Sequence, residues 1–158
     1  MTATTPLATP VTAVSTATRL VVGVDASEHS LRALRWARDE ARLRGATLEV
    51  VHAYAPPEVL MLPVMVVVPS DGELEAAAAR VVEEAIEEVG DFTGIPLIRT
   101  VRAGGAAGVL CQAADDAALV VVGTRGRGGF KELLLGSVSH QVATHAGCPV
   151  VIVGGEAR

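Results

Sequence analysis

From about residue 19 onward, short runs of aliphatic and β-branched residues alternate with longer segments in which apolar residues recur every three or four positions. A chain written this way builds βα units around a parallel sheet, because each strand must be followed by a crossover helix before the next strand can lie beside it. Five runs qualify: Arg19 to Val24, Leu48 to Tyr54, Pro96 to Val101, Ala118 to Val122 and Val150 to Val153. The expected architecture is a three-layer α/β/α sandwich with a five-stranded parallel sheet.

The helices between them carry their own boundary signals. Ser27 suits an N-cap and Glu28 a first turn, and Leu31, Leu34, Ala37 and Ala41 then share one face while Arg32, Arg35, Arg38 and Arg42 mark the other, with Gly45 as the stop. A second helix is expected over about Glu73 to Val89, with Leu74, Ala78, Val81, Ala85 and Val89 inward and Gly90 at its end, after a Pro69-Ser70-Asp71-Gly72 turn. A short Ala-rich helix follows Gly104-Gly105, and a last one runs from about Ser137 to His145. The ALVVV run before Gly123 is continuously apolar, the mark of a strand covered on both faces.

At 158 residues with half of them hydrophobic but only 3% aromatic, the core must come from Val, Leu, Ile and Ala in one domain of about 19–155. A net charge of −5 argues against a broad nucleic-acid face. The longest apolar run, Val59 to Val68, falls short of a membrane span and is broken by Pro63, so the chain is expected to be soluble and cytoplasmic. That run suits a buried lid or a partner surface. Residues 1–18, rich in Thr, Ala and Pro, read as a disordered tail. Cys111 and Cys148 show no metal-ligand or disulfide spacing and read as small core hydrophobes. Asp115-Asp116 reads as a solvated turn, and His52 and His145 as locally hydrogen-bonded rather than catalytic.

Chemistry concentrates after the fourth run. Gly123, Gly126, Gly128 and Gly129 remove side chains, which lets backbone N–H groups approach an anion, with positive φ angles expected among them. Gly136-Ser137 stands at a helix start, where unpaired N–H groups attract negative charge and the Ser137 hydroxyl adds a donor. Arg125, Arg127 and Lys131, the only lysine in the chain, concentrate positive charge on the same segment of an acidic protein. In open parallel sheets ligands bind beyond the carboxyl ends of the strands, so a polyphosphate clamped by the two glycine clusters is the expectation. Neither a P-loop nor a dinucleotide fingerprint is present, which favours ATP over NAD.

The spacing Gly123-x2-Gly126-x9-Gly136-Ser137 resembles the G-2x-G-9x-G(S/T) signature of the universal stress protein family, and VVGVDASEHSLRALRWA resembles that family's opening strand and helix. The resemblance covers about Arg19 to Val153 and implies a Rossmann-like sheet of order 3-2-1-4-5. It implies ATP as ligand, with Asp25 facing the phosphates and a Mg²⁺ ion, and the backbone near Ala53 facing adenine. It also places Ala26, Ser27, Gly104, Val138 and Ser139 in the nucleotide-binding set beside Gly123, Arg125, Gly126, Arg127, Gly128, Gly136 and Ser137. Independently of the family, a carboxylate beside a phosphate loop suits Mg²⁺, which takes one or two carboxylates plus phosphate oxygens. A homodimer through Val150 to Val153 is implied, since that apolar edge otherwise stands unpaired. The expected role is a regulatory nucleotide-binding domain in a stress response, with a slow Mg²⁺-dependent ATPase and a non-binding interaction module as alternatives.

Overall fold

The computed structural model describes residues 18–55, 70–126 and 135–155. The tail over 1–17, the Val59 to Val68 run, Arg127, Gly128 and Lys131 therefore lie outside the described residues. Within them the order is β1 (Arg19–Gly23), α1 (Glu28–Arg44), β2 (Thr47–Tyr54), α2 (Asp71–Val89), β3 (Leu97–Ala103), α3 (Ala106–Ala114), β4 (Leu119–Gly123), α4 (Ser137–His145) and β5 (Val150–Val153). The strands form one five-stranded sheet of order β3-β2-β1-β4-β5, and every pairing is parallel. Strand order reverses between β1 and β4, the switch point at which a crevice opens beyond the strand ends.

Alternation along the strands sends side chains to two cores. Leu20, Val22, Leu48, Val50, Leu119 and Val121 face Leu31, Leu34, Ala37 and Ala41 of α1 and Val82, Ala85 and Ile86 of α2. Val21, Val51, Val120 and Val122 face Val109, Leu110 and Ala113 of α3 and Val142 of α4. With so few rings, close approach of helix to sheet depends on the alanines, and Ala33, Ala37 and Ala41 of α1 are fully buried.

Helix α1 starts and stops where its residues direct. Ser27 is extended (φ −80°, ψ 152°) and its hydroxyl accepts from the Ser30 N–H, while Gly45 closes the helix in the left-handed region (φ 60°). Helix α2 departs from expectation in two ways. It begins at Asp71, because Ser70 and Glu73 form a reciprocal capping box where a turn was expected. Its buried face is Ala78, Val82, Ala85 and Ile86, leaving Leu74, Val81 and Val89 half-buried. The apolar stripe there is wide, and contact with α1 and β2 decides which part of it turns inward. Asp115 and Asp116 are exposed in a turn, as expected. Cys111 and Cys148 are half-buried against the α3/α4 core, and burial pushes both thiols up from their ordinary value. Among the described residues, no helix is long and apolar enough to cross a membrane.

Candidate functional site

The carboxyl ends of β1, β2 and β4 converge at the switch point. At the end of β1, the Val24 N–H donates to the Val51 carbonyl (2.9 Å) and the Val24 carbonyl accepts from His52 Nδ1 (2.7 Å), so both polar atoms of Val24 are held by β2. The next N–H, of Asp25, donates to Ser30 Oγ (3.2 Å), and Asp25 Oδ1 accepts from the Ser27 N–H (3.0 Å) and Ser27 hydroxyl (2.5 Å). Ser30 in turn donates to the Ser27 carbonyl (2.9 Å). Between them Ala26 takes φ 62°, a left-handed conformation that costs an L-residue about 1 kcal/mol and persists because its neighbours are pinned.

Among the described residues, Gly123 and Gly126 serve space rather than unusual dihedrals. Neither Gly123 nor Gly126 has a positive φ, contrary to the expectation for this cluster, whose Gly128 and Gly129 lie outside the described residues. A Cβ on Gly123 would lie 2.6 Å from the His29 carbonyl oxygen, so the first turn of α1 can abut the end of β4 only because that side chain is missing. A Cβ on Gly126 would lie 2.5 Å from Asp25 Oδ2, which places the loop backbone directly against the carboxylate. The loop is then stapled to α4: the Gly136 N–H donates to the Thr124 carbonyl (2.7 Å), and the Ser139 hydroxyl reaches the Thr124 and Gly136 carbonyls (2.9 and 3.0 Å).

These elements enclose a cleft of about 450 Å³. It brings together Asp25, Ala53, Gly123, Arg125, Gly126, Gly136, Ser137, Val138 and Ser139 from the expected set. Ala26, Ser27 and Gly104 do not line it. Ala26 and Ser27 shape the Asp25 loop, and Gly104 (φ 139°) donates its N–H to the Tyr54 carbonyl (2.9 Å), tying the end of β3 to β2. Ser139 is 2% exposed with its proton on backbone carbonyls, so it organises the loop from behind. The α4 start has no side-chain cap, and its first residues, the exposed Ser137 and the half-buried Val138, line the cleft.

Sequence reasoning missed Ser30, His52, Leu110 and Ala106 as lining residues. Leu110 and Ala106 supply an apolar wall from α3; only the strand order puts that helix beside β1 and β2. His145 forms the expected local hydrogen bond through Nδ1 to the Gln141 carbonyl (2.9 Å), whereas the His52 bond is not local and reaches from β2 to Val24 at the end of β1. His29 sits behind the loop, its Nδ1 3.4 Å from Thr124 Oγ1 and 3.0 Å from an Arg32 guanidinium nitrogen. Burial holds its pKa below the ordinary histidine value, helped by Arg32 and Arg125 and opposed by Glu28 and Asp25.

Among the described residues no three His, Cys, Asp or Glu side chains gather to hold a metal. A divalent cation here would need Asp25 together with oxygens brought by a ligand, a donor set that fits Mg²⁺ and phosphate.

Known proteins share this fold. The model of the universal stress protein family matches residues 16–154. The chain belongs to the universal stress protein family. A universal stress protein of Thermus aquaticus is 38% identical over 141 residues, covering 85% of this chain and 96% of the relative. One from Mycolicibacterium smegmatis is 35% identical over 142 residues, covering 87% of this chain but 48% of the relative, so the chain spans about half the length of such mycobacterial relatives. Among solved structures, a universal stress protein in complex with cAMP aligns at TM-score 0.62 and 28% identity, covering 87% of this chain and 96% of that one. The Archaeoglobus fulgidus universal stress protein in complex with dAMP aligns at TM-score 0.54 and 25% identity, covering 85% and 97%.

Proposed function

We propose that the cleft binds ATP with Mg²⁺ and that the domain acts as a nucleotide-dependent regulator in a stress response. The observation that carries this reading is the meeting of Gly126 with the Asp25 carboxylate opposite the uncapped start of α4, which sets an anion site and a carboxylate on one cleft. The apolar wall of Val51, Ala53, Leu110 and Val122 suits a base, and the start of α4 at Ser137 and Val138 suits phosphates. Relatives solved with cAMP and dAMP support an adenine nucleotide as the ligand class. Asp25 is the residue that would hold Mg²⁺, whose contribution is to neutralise phosphate charge. The role assigned is binding rather than turnover.

Purification of the chain, denaturation and identification of released nucleotide test the reading, with calorimetric titration of ATP in Mg²⁺ against EDTA. Ser137→Ala should weaken binding by about fivefold through loss of one hydroxyl donor. Absence of both co-purified nucleotide and measurable ATP affinity would leave only an interaction module. The same reading pairs two copies through β5, whose four residues are half-buried at a sheet edge. Light scattering that reports a monomer over a wide concentration range would defeat that pairing.

A further inference from the structure

We propose that His52 is a positioning residue for the cleft, fixing the direction in which Asp25 projects by holding the Val24–Asp25 peptide from β2. That peptide is gripped at both of its polar atoms by side chains of different elements: its carbonyl by His52 Nδ1 at 2.7 Å, and its N–H by Ser30 Oγ of α1 at 3.2 Å. A peptide plane held at both ends has one orientation, and that orientation sets the direction of the Asp25 Cα–Cβ bond. The loop does not hold this shape unaided, because the following residue, Ala26, is in the left-handed region at φ 62°. Ser27 fixes the far end by capping α1 and donating to Asp25 Oδ1, which leaves the Val24 carbonyl as the point where β2 enters the network.

The chemistry of the bond assigns the ring. A carbonyl can only accept, so Nδ1 carries a proton, in the neutral tautomer and the imidazolium alike. The ring is half-buried and its residue lines the cleft, so two roles compete: Nδ1 acting through Asp25, or Nε2 acting on a ligand. The 2.7 Å bond favours the first. It crosses from β2 to the β1–α1 loop, a connection no sequence-local interaction can supply. Because Gly126 is packed against Asp25 Oδ2, a small rotation of Asp25 would close or open the space the glycine leaves.

This inference rests on nucleotide occupying the cleft, and the test separates the two. An Asn side chain offers its amide N–H near the place of Nδ1, and a Gln offers it near Nε2. His52→Asn, His52→Gln and His52→Leu are titrated with ATP and Mg²⁺ alongside the parent chain, with thermal unfolding as a check on folding. Positioning through Nδ1 predicts that His52→Gln and His52→Leu each lose about tenfold in affinity while His52→Asn recovers most of it. In an Asp25→Ala background the loss from His52→Gln should shrink to within about twofold, because the residue through which His52 acts has gone. Equal affinity in all four proteins overturns the inference, as does a loss that persists undiminished in the Asp25→Ala background. Retention by Gln with loss in Asn also overturns it, by assigning the ring to ligand contact. A parent chain that binds no nucleotide sinks the nucleotide reading and this inference with it.

Discussion

The two ends of the sheet treat polar groups in opposite ways. At the amino-terminal end, Glu49 is 6% exposed on β2, yet its carboxylate is occupied by the Thr100 hydroxyl (2.7 Å) and the Arg19 guanidinium. The backbone there closes on itself too, with Thr47 donating to Thr18 (2.9 Å) and Ala118 to Arg19 (2.8 Å). At the carboxyl-terminal end, α3 and α4 both begin without a side-chain cap, and Gly126 brings backbone against Asp25. Parallel strands with crossover helices force the asymmetry, because every helix N-terminus then lies at the same end of the sheet. Polar burial at one end serves stability, and at the other, on the proposed reading, it serves a ligand.

Breaking the close approach at the cleft should have the largest effect. Gly123→Ala puts a Cβ 2.6 Å from the backbone of His29, which cannot rotate away, so a loss of about 3 kcal/mol is expected, seen as a fall of roughly 6–12 °C in Tm. Glu49→Ala tests the other end. It strands a guanidinium that is partly open to water (24% exposed), so about 2 kcal/mol of stability should go, read from the urea midpoint, with ATP affinity unchanged. An accompanying loss of affinity would erase the division between the ends. Gly126→Ala should invert the pattern: among the described residues the clash is with the Asp25 carboxylate, so Tm should move little while ATP affinity falls about tenfold by calorimetry.

The smallest effect concerns His29, whose pKa is lowered in the folded state. The unfolded chain binds the proton more readily, so stability is full above about pH 6.5 and declines as pH falls toward the folded value, with no further loss from this group below it. Urea midpoints between pH 7.5 and 5 should show that decline, and His29→Gln should flatten it. An unchanged slope would remove His29 from the account.

How far the residues alone disclosed this molecule depended on whether the controlling contact was local. Helix α1 was legible to its caps because Ser27, Glu28 and Gly45 act within one turn of themselves. The start of α2 was equally local, written as Ser70-x-x-Glu73, but the neighbouring Pro69 and Gly72 suggested a turn. Its buried face was not legible, since apolar residues at 81, 82, 85, 86 and 89 allow more than one inward direction. The loop glycines were found by spacing, though their purpose proved to be clearance from His29 and Asp25. His52 and Glu49 stayed hidden because each acts across the sheet, reaching Val24 just past β1, Arg19 on β1 and Thr100 on β3. Glu49 lies opposite Val21 and Ile98, so Arg19 and Thr100, each two residues along, share its face, and nothing short of the strand register shows that.

The unequal edges of the sheet bear on how far copies of the chain could stack. Strand β3 carries exposed Arg99 and Arg102, and Arg99 is paired with Glu83 of α2 at 2.8 Å. Strand β5 is Val-Val-Ile-Val and carries no charge. A second copy joined edge to edge at β5 would leave only charged β3 strands at the two outer margins. In such a pairing the charged β3 margins would disfavour addition of a further strand, so the joining would tend to stop at two copies.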